Sequence, residues 1–188
     1  MPKKLARPSS DRILGAAEQV FATHGYADVS LRQLIAAAGV STTAFYARFD
    51  SKTAVLDTLT ERVFAELHSE ARAVLRDARD LEDGIQRSID LLVRMFGPRK
   101  PIIRMIISEI GAHDARRRSY TLLAAFLANR LRTVLGVADP DALAWAIVGG
   151  LEIQLTRWAV WDEFDLPTLR ERLLATARAI LPTSKEPS

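Results

Sequence analysis

Two short apolar patterns meet at a single glycine, and that junction restricts the folds open to this chain more than any other feature. Leu31, Leu34, Ile35 and Ala38 recur at helical spacing behind Ser30, and Gly39 closes the run. Ser41 opens a second short pattern that ends near Phe49. A glycine at such a turn lets the backbone reverse sharply, and a serine ahead of each segment can accept from the free N–H groups of the first turn. Two short helices joined in this way make a helix-turn-helix, the geometry that presents its second helix to a DNA major groove. A helical hairpin used only for packing has the same outline.

The rest of the chain also reads as helix. Strand-like alternation is absent, and Ala, Leu, Arg and Glu are abundant. The patterns predict helices over 11–24, 31–38, 42–49, 52–78, 81–96, 101–113, 115–135, 140–161 and 166–181. Their breaks carry Gly97-Pro98, Gly136 with Asp139-Pro140, and Asp165-Leu166-Pro167. Ser9 and Ser10 are expected to cap the first helix, whose apolar face is Ile13, Ala17, Val20, Phe21 and His24. The expected fold is all-α, about nine helices in all: an N-terminal three-helix unit over residues 1–52, a larger helical unit over 53–182, and a disordered tail at 183–188. The sequence holds no cysteine, which excludes disulfides and thiolate metal sites and fits a reducing cytoplasm. Its apolar runs, such as Leu122–Ala128, are too short to span a bilayer, so no membrane partner is expected.

Charge is unevenly placed. The first 52 residues hold seven basic and four acidic side chains, and the following 136 balance at 19 of each sign. The whole net charge of +3 therefore lies in the first quarter of the chain, which points to an anionic partner such as nucleic acid.

The stretch from Ile13-Leu14-Gly15-Ala16-Ala17 through Phe21-Ala22-Thr23-His24-Gly25-Tyr26 and Ser30–Ser41 to Phe45-Tyr46-Ala47-Arg48-Phe49-Asp50-Ser51-Lys52 resembles the signature of the tetracycline-repressor (TetR) family. The resemblance implies a repressor that binds double-stranded operator DNA as a homodimer and leaves it when a small-molecule effector binds. It implies DNA contacts from Ser30, from Ser41, Thr42 and Thr43 at the start of the recognition helix, from the Tyr46 hydroxyl, and from Lys52, with Phe45 and Phe49 in the core. Arg32 and Arg48 are further candidates for phosphate. Thr43 stands where the family often has glycine, Ala44 where it often has threonine, and Ser10 where an arginine is common. Lys3, Lys4 and Arg7 are placed to make up for the last of these along the backbone or in the minor groove.

For the larger unit, the resemblance implies a ligand pocket among central helices. Candidate lining residues are Phe64, His68, Met95, Arg104, Ile107, Tyr120 and Trp158, suited to a flat or apolar effector, with Arg104 able to meet an acidic group. It also implies a dimer interface from the last two helices. Ala146, Gly149 and Gly150 are small enough for close helix approach, and Leu169, Leu173, Ala177 and Ile180 form a stripe. An intramolecular helix pair would use the same stripes. No cofactor or metal is expected and no enzyme: Glu109 and His113 at i and i+4 lack a third ligand, and Gly149-Gly150 follows no strand. A helical small-molecule or protein-binding module without DNA binding is the alternative.

Overall fold

The computed structural model describes residues 9–181, and the candidates Lys3, Lys4 and Arg7 and the tail from 183 lie outside them. The described residues form nine α-helices and no strand: α1 Ser9–His24, α2 Leu31–Ala38, α3 Thr42–Tyr46, α4 Lys52–Arg76, α5 Leu81–Phe96, α6 Lys100–Ser108, α7 His113–Leu135, α8 Pro140–Ala159 and α9 Leu166–Ile180. Pro101, Pro140 and Pro167 each sit in a first turn, where a missing N–H costs nothing.

α1 packs on α2, α3, α4 and α6. α4 runs on to meet α5 and α7, while α8 is held between α7 and α9. One hydrophobic cluster continues from Ile13, Phe21, Leu34 and Phe45 through Val55, Leu56 and Leu59 of α4 to Leu169 and Leu173 of α9. A second joins Ala124, Ala128 and Leu131 of α7 to Ala144, Ile147 and Val148 of α8. Each fully buried aliphatic contributes about 1.5–3 kcal/mol, so α4 is the beam on which both ends of the molecule are built.

Four expectations are corrected. α1 begins at Ser9, so Ser9 and Ser10 lie in its first turn rather than capping it. α3 stops at Tyr46, three residues early. His24 is exposed instead of lying on the apolar face of α1. The segment 101–113 is broken at Glu109, whose backbone is extended, and a 3-10 turn over Ile110–Ala112 follows. The break has a partner to stabilise it. Arg116 of α7 donates to the Ile106 carbonyl at 2.8 Å and to that of Ile107, satisfying acceptors that the end of α6 leaves open.

Candidate nucleic-acid interface

α3 has five residues, too few to persist alone. It is held by Phe45, fully buried, and by Phe49 just beyond its end, with the two rings 6.0 Å apart. Ser41 caps it by accepting from the Ala44 N–H at 3.1 Å. With its apolar side fixed inward, the helix turns Ser41, Thr42, Thr43, Tyr46 and Arg48 to the surface, Tyr46 being 51% exposed. α2 is anchored by Leu34 and Ala38 and begins with a full capping box. The Ser30 hydroxyl oxygen accepts from the Gln33 N–H at 3.2 Å, and the Gln33 carbonyl oxygen accepts from the Ser30 N–H at 2.8 Å. The Ser30 hydroxyl also lies 2.7 Å from that oxygen, so a phosphate would compete for its proton. Arg32 is exposed on α2.

Lys52 at the start of α4 is turned toward the α1–α2 connection. Its ammonium donates to the carbonyls of Tyr26 and Val29, both at 2.7 Å, and lies 4.2 Å from the centre of the Tyr26 ring. Ammonium carries three donors, so two are occupied by the protein itself. Arg12, which sequence reasoning passed over, reaches from α1 to the Ala38 carbonyl at 3.2 Å and to that of Gly39. The turn it clasps requires Gly39, whose φ is +59°. A Cβ there would also meet the Arg12 guanidinium at 3.0 Å. The only sequence signal for Arg12 was its position one residue from the apolar face of α1.

Behind this head lies a largely apolar cavity of about 380 Å³ between α4, α5, α7 and the α8–α9 pair, with walls that include Leu67, Ile89, Leu92, Leu127 and Leu151. A smaller one of about 60 Å³ shares Leu67, Leu92 and Leu151 with it and reaches Phe64, Ile107 and Tyr120. Of the seven ligand candidates, the structure brings those three together: Phe64 meets Tyr120 edge-on at 5.5 Å between ring centres. Burial raises the Tyr120 hydroxyl well above its ordinary pKa, and the Glu152 charge adds to that shift. His68, Met95, Arg104 and Trp158 line neither cavity. Arg104 instead donates to Asp162 at 2.6 Å across from α6. Trp158 packs in the core, where Lys100 lies 5.1 Å from its ring. Sequence reasoning missed most of the larger cavity, because its walls are ordinary leucines that no composition rule separates from core. Among the described residues no group of three or more His, Asp or Glu side chains is placed to hold a metal ion.

The family model for bacterial regulatory proteins of the tetR family matches residues 13–59, which span α1, α2, α3 and the start of α4. That stretch of the chain is similar to the bacterial regulatory proteins of the tetR family. The transcriptional regulator EthR of Mycobacterium tuberculosis is 32% identical over 108 residues, 54% of this chain and 50% of EthR. The chain thus spans about half the length of the curated relatives it matches. A Syntrophomonas wolfei crystal structure described as belonging to the TetR family superposes with a TM-score of 0.79 at 19% identity, covering 92% of this chain and 94% of that one. Thermus thermophilus FadR, a TetR-family repressor solved with lauroyl-CoA, gives 0.71 at 20% identity, covering 95% and 99%. At such identities these two show the shared fold.

In the larger helical unit the stripe on α9 points inward. Leu169, Leu173 and Ala177 are buried within the subunit, against α5 and α8, so the interface expected from them is corrected. They are spent on the chain's own core. Gly150 is likewise internal: a Cβ there would lie 2.8 Å from Ile180 and 2.9 Å from Thr176 of α9. Ala146 and Gly149 do face outward, and a Cβ on Gly149 meets nothing within 4 Å. Beside them on α8 stand Trp145 and Ile153, 48% and 44% exposed, which the sequence reading had not singled out. No helix among the described residues is long and apolar enough to cross a membrane.

Proposed function

We propose that the chain is a transcriptional repressor that binds a palindromic operator as a homodimer and is released by a small, largely apolar effector. Residues 1–52 act as the DNA-binding unit and 53–182 as the effector-binding and dimerising unit. One observation carries this reading: α3 keeps Thr42, Thr43 and Tyr46 exposed while Phe45 and Phe49 hold its other side in the core. A five-residue helix with an exposed hydroxyl-bearing face is poorly explained as packing and well explained as a reader of a groove. Thr43 reads base edges, and Tyr46, Ser30 and Lys52 anchor phosphates through donors left over from their internal contacts. Base contacts set sequence choice, and phosphate contacts set register and affinity. The cavity supports the effector half of the reading, as does the lauroyl-CoA held by Thermus thermophilus FadR. An effector acts here to the extent that it prefers the conformation that does not fit DNA.

The test is binding of the full chain to DNA selected from a random pool, followed across a salt series. Tyr46→Phe should weaken all sequences alike and lower the slope of log affinity against log salt by about 0.9, one phosphate's worth. Thr43→Ala should change which sequences are preferred. Binding to no DNA at low salt would leave a helical ligand-binding module as the better description.

A further inference from the structure

We propose that the larger cavity takes a free long-chain carboxylate, with its chain among the walls of α4, α5 and α7 and its carboxylate on Arg130. This rests on the reading of the chain as an effector-controlled DNA binder. The volume, about 380 Å³, lies within the range of cavities that enclose small molecules. Its polar lining is confined to Arg79, Asp80, Ser88 and Arg130. Arg79 is taken by Asp83 at 2.8 Å, and Asp80 is taken as the cap of α5, accepting from the Asp83 N–H at 2.8 Å. The Ser88 hydroxyl is buried and has no hydrogen-bond partner among the described residues. Arg130, half-buried at the cavity, has no carboxylate within ion-pair distance among the described residues and spends one N–H on the Leu75 carbonyl at 3.0 Å. A guanidinium beside an apolar chamber matches the two oxygens of one carboxylate through paired N–H bonds. A cationic head would place like charges together.

Arg130 also connects the site to the head. Leu75 lies in the last turn of α4, where carbonyls have no intrahelical donor, and Arg130 supplies one from α7. The other end of α4 is Lys52, which grips the α1–α2 connection. A carboxylate on Arg130 therefore sits one side chain away from the end of the helix that carries the head.

The experiment is isothermal titration of the full chain, without DNA, with dodecanoate, dodecanol, dodecylamine and lauroyl-CoA. The same preparations are assayed for DNA binding in the absence of ligand, so that failure of the ligand assignment is separable from failure of the DNA reading. Dodecanoate should bind more tightly than the other three. Arg130→Gln keeps a donor for Leu75 and removes the charge, so it should weaken dodecanoate about tenfold or more, the size of one charge-assisted hydrogen bond, and leave dodecanol nearly unchanged. Arg130→Lys should fall between Arg130→Gln and the parent, which keeps the test open if the glutamine variant folds poorly. The proposal fails if dodecanoate does not bind, if dodecylamine or lauroyl-CoA binds more tightly, or if Arg130→Gln weakens acid and alcohol equally.

Discussion

Arg12 and Lys52 do related work on opposite sides of the head, each closing a loop by donating to main-chain carbonyls. Neither contact could be read from charge spacing, because a loop carbonyl leaves no mark in the sequence. What was legible, through the resemblance, was the inside-outside choice on α3: Phe45 and Phe49 are buried and Thr42, Thr43 and Tyr46 exposed. His68 is the residue whose surroundings make the clearest prediction. Its Nε2 is buried with no partner among the described residues, and burial, helped by the Arg72 charge, lowers its pKa from the ordinary 6.5. The unfolded chain then binds a proton near pH 6.5 that the folded chain refuses until lower pH. The stabilising contribution is therefore complete above about pH 6.5 and is lost as pH falls toward the depressed value. Urea midpoints should decline across that window in the parent and decline less in His68→Leu. A parent that gains stability on acidification there would contradict the assignment.

Among the elements, α3 shows how little local propensity decides. Its five residues hold helical form because a cap at one end and two phenylalanines beneath it fix them. Ser41→Ala should cost about 1 kcal/mol of stability, seen as a lower denaturation midpoint. If α3 reads DNA as proposed, the substitution should weaken DNA binding further, since it frees the Ala44 N–H in the first turn of that helix. Unchanged DNA affinity with lowered stability would separate α3 from the interface. At α6 the sequence pattern ran past the real end. The apolar residues continue through Ile110, but the chain turns at Glu109, where Arg116 satisfies the last carbonyls of α6 and the following 3-10 turn packs against α4. A similar tertiary tie, invisible in sequence, joins α1 to the body: Glu18 pairs with Arg62 at 3.0 Å and with Arg99 at 3.2 Å, and Arg99 reaches Glu66 at 2.7 Å.

For the molecule as a whole, the dimer contact proposed above falls on α8. Trp145, Ala146, Gly149 and Ile153 lie on its outer side, and small residues beside a large aromatic allow two helices to approach closely. Trp145→Glu should convert a dimer to a monomer in sedimentation at micromolar concentration while leaving helical content intact. An unchanged mass would place the interface elsewhere. Two reading heads on a two-fold axis are what a short α3 needs to gather enough base pairs, so the monomeric variant should also lose operator affinity. The sequence by itself determined the helical class and the places of most of the helix starts. Those depend on local spacing, caps and polarity, and such terms act over a few residues. Only the tertiary structure decided which apolar stripes are spent inside the subunit, where the cavity opens and which carbonyls the arginines close. Leucine on a core-facing stripe and leucine at an interface are chemically the same, and only the position of the other helices tells them apart.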